Sequence, residues 1–531
     1  MSSVVHQDPK AQQPVQEGQG EAVQGTIPGG DDALDGGAKT GNEKEEDQGV
    51  QDEADFEVRF KAGDTTNPKE WSSWRRAWAL FCIAFSSFIV SLYSTIYTSS
   101  IPGVSKAFDI HVPVIPTLGI TTYLIGTGAG SLIQAPLSEV FGRRPIYLVS
   151  MSVFTLLILP CSLATSIAEI LVVRFFGGVF GAATISNAPG SLVDIYPPDK
   201  LAIGFSLWSI APFNGPVIGP IIGGFVYAGL GWRWDNWLTM ILSGASVLLM
   251  ATIPETYVPL LLRKRAARLR KEQDSRYWSR YDDKTSFWSQ LKVNLRRPFT
   301  LAATEPILWF FNTWVSVVYA VLYLSFVAYP IVFQDYRGWG PGISGLAYLG
   351  NGLGVMLAIC LEPLWRRIIN SSPINPETGR VYPEAAGSIM SLGAICTPIG
   401  QLVFAWTCVP ASIHWLVPIA FGVPFGFGNT LCFIYSSNYL AGSYGIYAAS
   451  ALSSNTVFRS ILGGTLPLAG PKMYQNLTPH WAGTLLGLIE LCLAPIPFIF
   501  WRYGKRIRSR SRTILQIQKD AEAERQRASQ S

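Results

Sequence analysis

Hydrophobic residues along this chain are collected into long runs, and the runs are separated by polar segments that carry most of the charges. A helix needs about 20 apolar residues to cross the hydrocarbon core of a bilayer. The pattern therefore indicates an all-α membrane protein with twelve transmembrane helices. The twelve runs lie at about residues 76–98, 117–137, 145–164, 168–190, 202–228, 236–254, 306–330, 342–362, 387–407, 414–437, 446–470 and 481–501.

Composition agrees with this interpretation and excludes several classes of protein. Of the 531 residues only 15% are charged, and the mean hydropathy is +0.26, whereas soluble proteins are about 25% charged. The seven cysteines show no CxxC spacing, the four histidines are isolated, and no GxxxxGKS or GxxxxGKT nucleotide loop occurs. An ATP-driven pump or an intramembrane enzyme is therefore not expected, and neither is a metal, a bound cofactor or a nucleic-acid partner.

Charge and hydropathy also divide the chain into five parts. The polar N-terminal tail is rich in Gln, Gly, Glu and Asp, so it has too little apolar surface to offset the entropy of ordering. It lacks the apolar core of a signal peptide. We expect a disordered tail at 1–70, six helices in 71–254, a basic linker at 255–305, six helices in 306–501 and a basic tail at 502–531.

The positions of lysine and arginine predict the orientation, because these residues are enriched in cytoplasmic segments. With the N-terminus inside, most of the 41 basic residues fall in the tails, the linker and the inside loops. The outside loops then hold only Lys106, Arg233, Arg337 and Lys472. Both termini are therefore predicted to be cytoplasmic.

The two six-helix halves share a short internal repeat. Glu139 after the second span is followed by Arg143 and Arg144, and after the eighth span Glu362 is followed by Arg366 and Arg367. Acid and double arginine thus recur at the same spacing and helix rank. This indicates duplication, an arrangement found in transporters that expose a central site to alternate sides.

The turn after the second span is the sharpest local signal. Glu139 ends the span, Gly142 permits a tight reversal, and Arg143 and Arg144 lie at the membrane face. An acid–arginine cluster here can hold the two halves together in one state and release them in another. The alternative is that these arginines only anchor the chain on the cytoplasmic side.

The fifth span combines glycines and prolines. Gly215, Gly219 and Gly223 recur at every fourth residue and share one helix face, which lets another backbone approach closely. Pro216 and Pro220 each remove a backbone hydrogen bond and bend the helix. The combination favours a flexing gate, and static helix packing is the alternative.

Three charges lie deep inside predicted spans, away from the span ends, where charges are costly and usually functional. They are Arg174 in span 4, Arg459 in span 11 and Glu490 in span 12. Arg459 and Glu490 lie about 11 and about 9 residues from the outer ends of their helices, at similar depth given a rise of 1.5 Å per residue. We therefore expect that they could form a structural ion pair, whereas Arg174 has no acidic partner within a span.

Taken together these features resemble the major facilitator superfamily, and most closely its fungal drug:proton antiporters with twelve spans. The turn from Glu139 to Arg144 is similar to the superfamily signature between helices 2 and 3, although Ala135 replaces the usual glycine and Glu139 the usual aspartate. The segment 172–181, with Arg174, resembles the helix 4 signature linked to proton transfer, and 215–224 resembles the antiporter signature of helix 5. The segments 67–71, 231–234 and 254–257 resemble the fungal group specifically.

The resemblance implies a proton-coupled efflux pump that exports a drug, a toxin or a fungal secondary metabolite by alternating access. A polyamine exporter and a proton-coupled nutrient importer are the alternatives. Sugar sites need several polar side chains, whereas span 7 offers Trp309, Phe310, Phe311 and Trp314. Polyamines would need acids, and Glu490 is the only acid deep inside a span, so we expect neutral or weakly acidic compounds that bind aromatic side chains.

The resemblance also sets expectations for mechanism and location. Arg174 is assigned an electrostatic role in proton coupling and Glu490 the proton site, with Glu139 or Asp194 as the alternatives. The proton gradient is the energy source, and the partners are the lipid bilayer and a small-molecule substrate. We expect a monomer in the plasma membrane, with the vacuolar membrane as the alternative, and glycosylation at the sequon of Asn476.

Overall fold

The structure is a computed structural model that describes residues 56–61, 63–197, 200–282, 287–374, 381–511 and 513–516. The predicted disorder of the N-terminal tail lies almost wholly outside the described residues. Much of the predicted C-terminal tail lies outside them as well.

The described chain is helical, and twelve helices have the order and length predicted for membrane spans. The first six are α1 (Ser73–Ala107), α2 (Val114–Phe141), α3 (Arg143–Leu163), α4 (Ile167–Ser186, continued by Ala188–Ile195), α5 (Leu201–Leu230) and α6 (Trp232–Ala251). The second six are α7 (Pro306–Pro330), α8 (Pro341–Gly345 and Leu349–Cys360), α9 (Gly387–Thr407), α10 (Leu416–Tyr444), α11 (448–477) and α12 (479–493, continued by Pro495–Arg508). Two further helices, Val258–Glu272 and Phe287–Thr304, lie in the linker.

Length and hydropathy alone identify nine helices in the described residues as able to span a membrane, one of which contains both α11 and α12. The helices α2 and α6 are not among them. Glycine, threonine and serine are frequent in α2, and α6 begins with Trp232, Arg233, Trp234 and Asp235. Their packing inside the bundle, rather than their hydropathy, identifies them as spans.

Two segments predicted to be loops, the one after span 1 and the one between spans 11 and 12, are largely helical in the structure. The helix α1 continues to Ala107, and within this extension the hydroxyl of Ser100 donates to the carboxylate of Asp235 on α6, so a polar residue here is satisfied by protein. Between α11 and α12 the chain reverses at Thr478 alone, with φ 62° and ψ 157°. Pro479 ends the preceding helix, since a residue before proline is kept out of the α region.

The internal repeat is only partly kept in three dimensions. In the first half Gly142, with φ 100°, leads straight from α2 into α3. In the second half a separate helix, Glu362–Asn370, follows α8, and Glu362 pairs with Arg366 one turn later at 2.8 Å. The shared spacing therefore produces a tight reversal in one half and a short polar helix in the other.

The chain ends and the linker lie on one side of the bundle, which we call the tail side; the opposite side is the loop side. The amide of Val58 donates to the carbonyl of Trp278 in the linker at 2.9 Å. At the other end, the hydroxyl of Ser511 donates to Glu305 at the start of α7 at 2.6 Å. Both described ends therefore meet the linker region, as an even number of spans requires.

Buried hydrophobic residues join the two halves near the loop side and not near the tail side. One cluster contains residues of both halves, among them Tyr97 and Val104 with Tyr329 and Phe333, all in the loop-side portions of their helices. On the tail side each half has its own hydrophobic cluster. The members of one cluster all lie between residues 71 and 253, and those of the other lie between residues 301 and 514. The described structure is thus sealed between its halves on the loop side.

Candidate functional site

The turn between α2 and α3 is organised by an acid that lies far away in the sequence. The carboxylate of Glu255 accepts hydrogen bonds from the backbone amides of Arg143 at 2.9 Å and Arg144 at 3.2 Å. It also accepts from the amides of Thr256 and Tyr257. These first amides of α3 have no partner within their own helix, and a negative charge at a helix N-terminus is stabilising. Glu255 therefore caps α3 and ties it to the end of α6.

Glu139 does not take this role. It stands exposed in the last turn of α2, and the Arg143 side chain instead contacts Ser138 and reaches Asp194 at 3.5 Å. The guanidinium of Arg143 also lies 5.0 Å from the ring centre of Tyr257. Burial and the nearby Glu139 carboxylate raise the pKa of Tyr257 to about 12, so this ring stays neutral at physiological pH.

The predicted cluster is therefore assembled around Arg143, but its acids are Glu255 and Asp194. Within the described part of the chain, the hydrogen bonds of Arg143 and Arg144 go to the first half and to Glu255 at the start of the linker, and none reaches the second half. The missed residue, Glu255, belongs to the segment 254–257, which was recognised only by resemblance. Glu255 is far from the turn in the sequence, so sequence spacing does not predict that it contacts Arg143 and Arg144.

The glycine face of α5 packs directly on the backbone of α1; the pattern predicted such a close approach without identifying the neighbouring helix. A Cβ atom at Gly215 would lie 2.8 Å from the carbonyl oxygen of Phe88, one at Gly219 2.8 Å from that of Leu92, and one at Gly223 2.9 Å from that of Ile96. Ordinary van der Waals contacts begin at 3.4 Å. Only glycine fits at these three positions without moving α1.

The prolines of α5 explain a second contact with α1. Pro220 has no amide hydrogen, so the carbonyl of Pro216 one turn earlier loses its helical donor. The hydroxyl of Thr95 on α1 donates to that carbonyl at 2.9 Å, and Ser99 donates to the carbonyl of Pro220 at 3.1 Å. The α1–α5 contact is thus both close and hydrogen-bonded.

The neighbouring face of α5 reaches the other half. A Cβ at Gly224 would meet the carbonyl oxygen of Pro341 at 2.5 Å, and one at Gly345 would meet that of Pro220 at 2.7 Å. Both Pro341 and Gly345 belong to α8. The helix α5 therefore joins α1 of its own half to α8 of the other half near the loop side.

Arg174 is enclosed by tyrosines and carbonyl groups. Its guanidinium lies 4.6, 4.4 and 5.2 Å from the ring centres of Tyr93, Tyr97 and Tyr123. It donates to the carbonyls of Gly119 at 2.7 Å, Tyr93 at 3.2 Å and Ser94 at 3.4 Å, and only Nη1 is without a partner. Aromatic faces and carbonyl dipoles stabilise the charge in place of an acid, and they connect α4 with α1 and α2.

Arg459 lies against aromatic rings of the second half. Its guanidinium is 4.4 Å from the ring centre of Phe433 on α10 and 5.2 Å from that of Tyr319 on α7. Phe433 in turn packs edge-to-face on Phe213 of α5, with ring centres 5.0 Å apart. Arg459 is thus one aromatic ring away from the boundary between the halves.

The predicted ion pair between Arg459 and Glu490 is not formed in this structure. Both carboxylate oxygens of Glu490 are buried without a hydrogen-bond partner. The two residues lie at similar depth, but their helices have different neighbours: the α11 portion packs on α7 through Gly463 and Tyr319, and α12 packs on α9 through Gly487 and Leu402. Depth was predictable from the sequence, and the facing direction was not.

A chain of contacts connects Arg174 with Arg459 across the boundary between the two halves. The Ser94 carbonyl accepts from Arg174, and the Ser94 hydroxyl lies 3.0 Å from that of Tyr323 on α7. The ring of Tyr323 is 4.7 Å from Tyr319, which lies against Arg459. The aromatic residues at this boundary are therefore not those that the sequence singled out.

None of the four aromatic residues of α7 named from the sequence as examples lies at this boundary. Phe311 and Trp314 are buried in the core of the second half, while Trp309 and Phe310 are exposed. The boundary aromatics lie two to three turns further along α7, at Tyr319 and Tyr323. Helical phase decides which face of α7 meets the first half.

Comparison with protein families supports this architecture. The family model described as Major Facilitator Superfamily matches residues 83–467. This region includes the Arg143 turn, Arg174, the glycine face of α5 and Arg459.

Several fungal proteins are similar over most of the chain. The "MFS-type efflux pump MFS2" of Trichophyton rubrum is 38% identical over 464 residues, covering 86% of this chain and 77% of the relative. The "Major facilitator superfamily multidrug transporter mdrA" of Aspergillus fumigatus is 38% identical over 465 residues, covering 86% and 76%. The "Citrinin biosynthesis cluster MFS transporter mrr1" of Monascus ruber is 37% identical over 457 residues, covering 85% and 90%.

A solved structure of similar fold adds to this at low sequence identity. The proton:xylose symporter XylE bound to a glucose analogue superposes with a TM-score of 0.57 at 14% identity, covering 82% of this chain and 96% of that one. Such a likeness shows the fold alone. With the family match, the fungal relatives and the twelve-helix bundle in two halves, the chain belongs to the major facilitator superfamily and is a multi-pass membrane transporter.

Proposed function

We propose that this protein exports small organic compounds in exchange for protons, by exposing a site between its halves to each side of the membrane in turn. We further propose that both termini are cytoplasmic, that it acts as a monomer, and that it resides in the plasma membrane. In this orientation the tail side faces the cytoplasm.

The observation that carries the proposal is the one-sided seal between the halves. Buried hydrophobic residues join the halves near the loop side, while the tail-side cores of the two halves are separate. Because packed interfaces switch between discrete arrangements, a second arrangement with the seal on the tail side would complete a transport cycle. With the tail side cytoplasmic, the present arrangement is the one that loads from the cell interior.

Export rather than import is supported by α5 and by the relatives. The Gly215–Gly219–Gly223 face and its two prolines form the close, hydrogen-bonded α1–α5 contact, and they resemble the antiporter signature. The relatives at 37–38% identity include an efflux pump, a multidrug transporter and transporters of biosynthetic clusters. A drug, a toxin or a secondary metabolite is therefore the cargo that we propose.

For proton coupling we keep the two residues assigned from the sequence. Arg174 cannot give up its proton, and its hydrogen bond to Ser94 places it next to the contact between Ser94 and Tyr323 that crosses the boundary. Glu490 has two unpartnered, buried carboxylate oxygens, a setting in which a carboxyl group can bind and release a proton. We propose an electrostatic role in proton coupling for Arg174 and proton binding for Glu490.

Polyamine export is less well supported. A polyamine carries several positive charges, and burying them requires carboxylates. The described side chains around Arg459 are aromatic, and Arg459 itself would repel a cation. No specific observation favours sugar import either.

The proposal is tested with inside-out plasma-membrane vesicles from yeast cells that express the protein and lack their own exporters. Nile red is the probe, and an acidic lumen supplies the gradient without ATP. We expect Nile red to accumulate in the vesicle lumen and the accumulation to stop when a protonophore collapses the gradient. The accumulation should fall strongly in Arg174→Ala. Accumulation driven by an alkaline lumen would contradict the proposal, because it would indicate proton symport.

A further inference from the structure

Arg459 differs from Arg174 in what surrounds its charge. Arg174 is 1% exposed and donates to three carbonyl groups. The side chain of Arg459 is only half-buried, its Nε is buried without a hydrogen-bond partner, and its neighbours are the rings of Phe433 and Tyr319. In the described part of the chain, no carboxylate lies within ion-pair distance of it.

A partly buried guanidinium needs a partner, because its five N–H donors would otherwise lose hydration without compensation. Two ring faces stabilise the charge but accept none of the in-plane hydrogen bonds. An anion with two oxygen atoms is the ligand that matches the planar fork of arginine. Glu490, the partner expected from its depth in the membrane, makes no ion pair with Arg459, and both of its carboxylate oxygens are buried without a hydrogen-bond partner.

We propose that Arg459 binds the carboxylate of the transported compound, so that the exported cargo is a class of aromatic or apolar organic acids in their ionised form. This inference rests on the proposed function, since it names the cargo of the same transport pathway. Arg459 is then a substrate-binding residue, distinct from Arg174.

The rings around Arg459 indicate the rest of the ligand. Phe433 contacts both Arg459 and Phe213 of the other half, and Tyr319 lies beside Tyr323, whose hydroxyl reaches Ser94 across the boundary. A carboxylate on Arg459 would leave its attached ring among these aromatic side chains, where offset and edge-to-face contacts are favourable. The ligand would therefore contact both halves.

One turn earlier on α11 is a polar ladder to α7. The amide of Asn312 donates to Ser454 at 3.0 Å, and Asn455 donates to the Asn312 oxygen at 3.1 Å. These bonds fix α11 against α7 and thereby fix the direction of Arg459, four residues after Asn455. The arginine is thus held in place by the fold before any ligand arrives.

The test is equilibrium binding of 2-naphthoate and its neutral isostere 2-naphthamide to the purified full-length protein in detergent, followed by tryptophan fluorescence. We expect wild type to bind naphthoate at least about tenfold more tightly than naphthamide, because a hydrogen-bonded charge pair discriminates by this order. Arg459→Gln should remove the preference and change naphthamide affinity less than about twofold. Arg459→Lys should keep part of the preference for naphthoate, since lysine retains the positive charge but lacks the planar guanidinium that binds both oxygens of a carboxylate.

Lys472→Gln is the matched control, because it removes one positive charge from an exposed position on the same helix and should leave the preference unchanged. A wild-type protein without preference for naphthoate would overturn the inference, as would an Arg459→Gln variant that keeps it. The wild-type comparison holds even where a variant fails to fold. Gradient-driven accumulation in the inside-out vesicles is scored separately with Nile red and with 2-naphthoate: accumulation of Nile red without a naphthoate binding preference refutes the inference alone, and accumulation of neither compound refutes the proposed function.

Discussion

Replacement of Gly219 by alanine is the smallest change that tests the α1–α5 contact. The added Cβ would lie 2.6 Å from the Oγ1 of Thr95, 2.8 Å from the carbonyl oxygen of Leu92 and 3.0 Å from the amide nitrogen of Ile96. Two of these three atoms belong to the backbone of α1 and cannot rotate away. The helices must therefore separate locally by about 0.6 Å to restore an ordinary contact of 3.4 Å.

Two costs follow from that separation. Overpacking of a well-packed interface costs about 1–3 kcal/mol. Displacement of Thr95 also breaks its hydrogen bond to the Pro216 carbonyl, and an unsatisfied buried carbonyl costs about 1–3 kcal/mol. Because one movement causes both, the costs are not additive, and we expect a destabilisation of about 2–4 kcal/mol. Gly219→Leu should abolish transport while the protein still inserts into the membrane.

Gly229→Ala is the matched control, since it lies on the same helix and no atom approaches its added Cβ within 4 Å. The assay is thermal unfolding in detergent together with Nile red efflux from cells at equal surface expression. Gly219→Ala should lower both the unfolding temperature and efflux, and Gly229→Ala neither. Wild-type stability and efflux in Gly219→Ala would refute the packing argument, and normal efflux in Gly219→Leu would remove α5 from the mechanism.

Three other predictions concern the turn between α2 and α3, the topology and the proton site. Glu255→Gln should destabilise the protein by about 1–3 kcal/mol in thermal unfolding, because it removes the charge that caps α3; an unchanged unfolding temperature would show that the cap is dispensable. Asn476, exposed beside the Thr478 reversal, should be the only one of the two sequons that is glycosylated, as measured by an endoglycosidase-dependent shift in electrophoretic mobility. A glycan on Asn370 would show that the predicted orientation is wrong. Glu490→Gln and Arg174→Ala should each reduce gradient-driven transport much more than probe binding, and normal transport by Glu490→Gln would place the proton site elsewhere.

The number, order and approximate position of the helices were predictable because a bilayer imposes a length on each apolar run. The glycine face of α5 was predictable too, since a four-residue repeat determines a helix face whatever lies opposite. The ends of α1 and α11 were not: Ser99 near the end of α1 donates to the carbonyl of Pro220 on α5, and α11 continues through the exposed polar residues Lys472, Gln475 and Asn476 up to the reversal at Thr478. Hydropathy depends on local composition alone and contains no information about such contacts.

The site was harder to predict, because its contacts join residues that are distant in the sequence. Spacing placed Glu139 beside Arg143, yet the acid that caps the turn is Glu255, brought there by the end of α6. Depth matched Arg459 with Glu490, yet each faces a different neighbouring helix. Facing direction depends on how whole helices are rotated in the bundle, and one sequence does not determine that rotation.

The central claim, that the two halves alternate between a loop-side seal and a tail-side seal, is tested most directly by two distances from α5, one to Gly340 just before α8 and one to Leu364 in the short helix that follows α8. In a cysteine-free background, spin labels at Gly229 and Gly340 report the loop side, where neither position has a neighbour within 4 Å of an added Cβ. Labels at the exposed Ile203 and Leu364 report the tail side. Pulsed electron resonance across a series of pH values, with and without Nile red, should show the loop-side distance lengthening by several ångströms as the tail-side distance shortens. Two distances that stay fixed, or that change together in the same direction, would contradict the account.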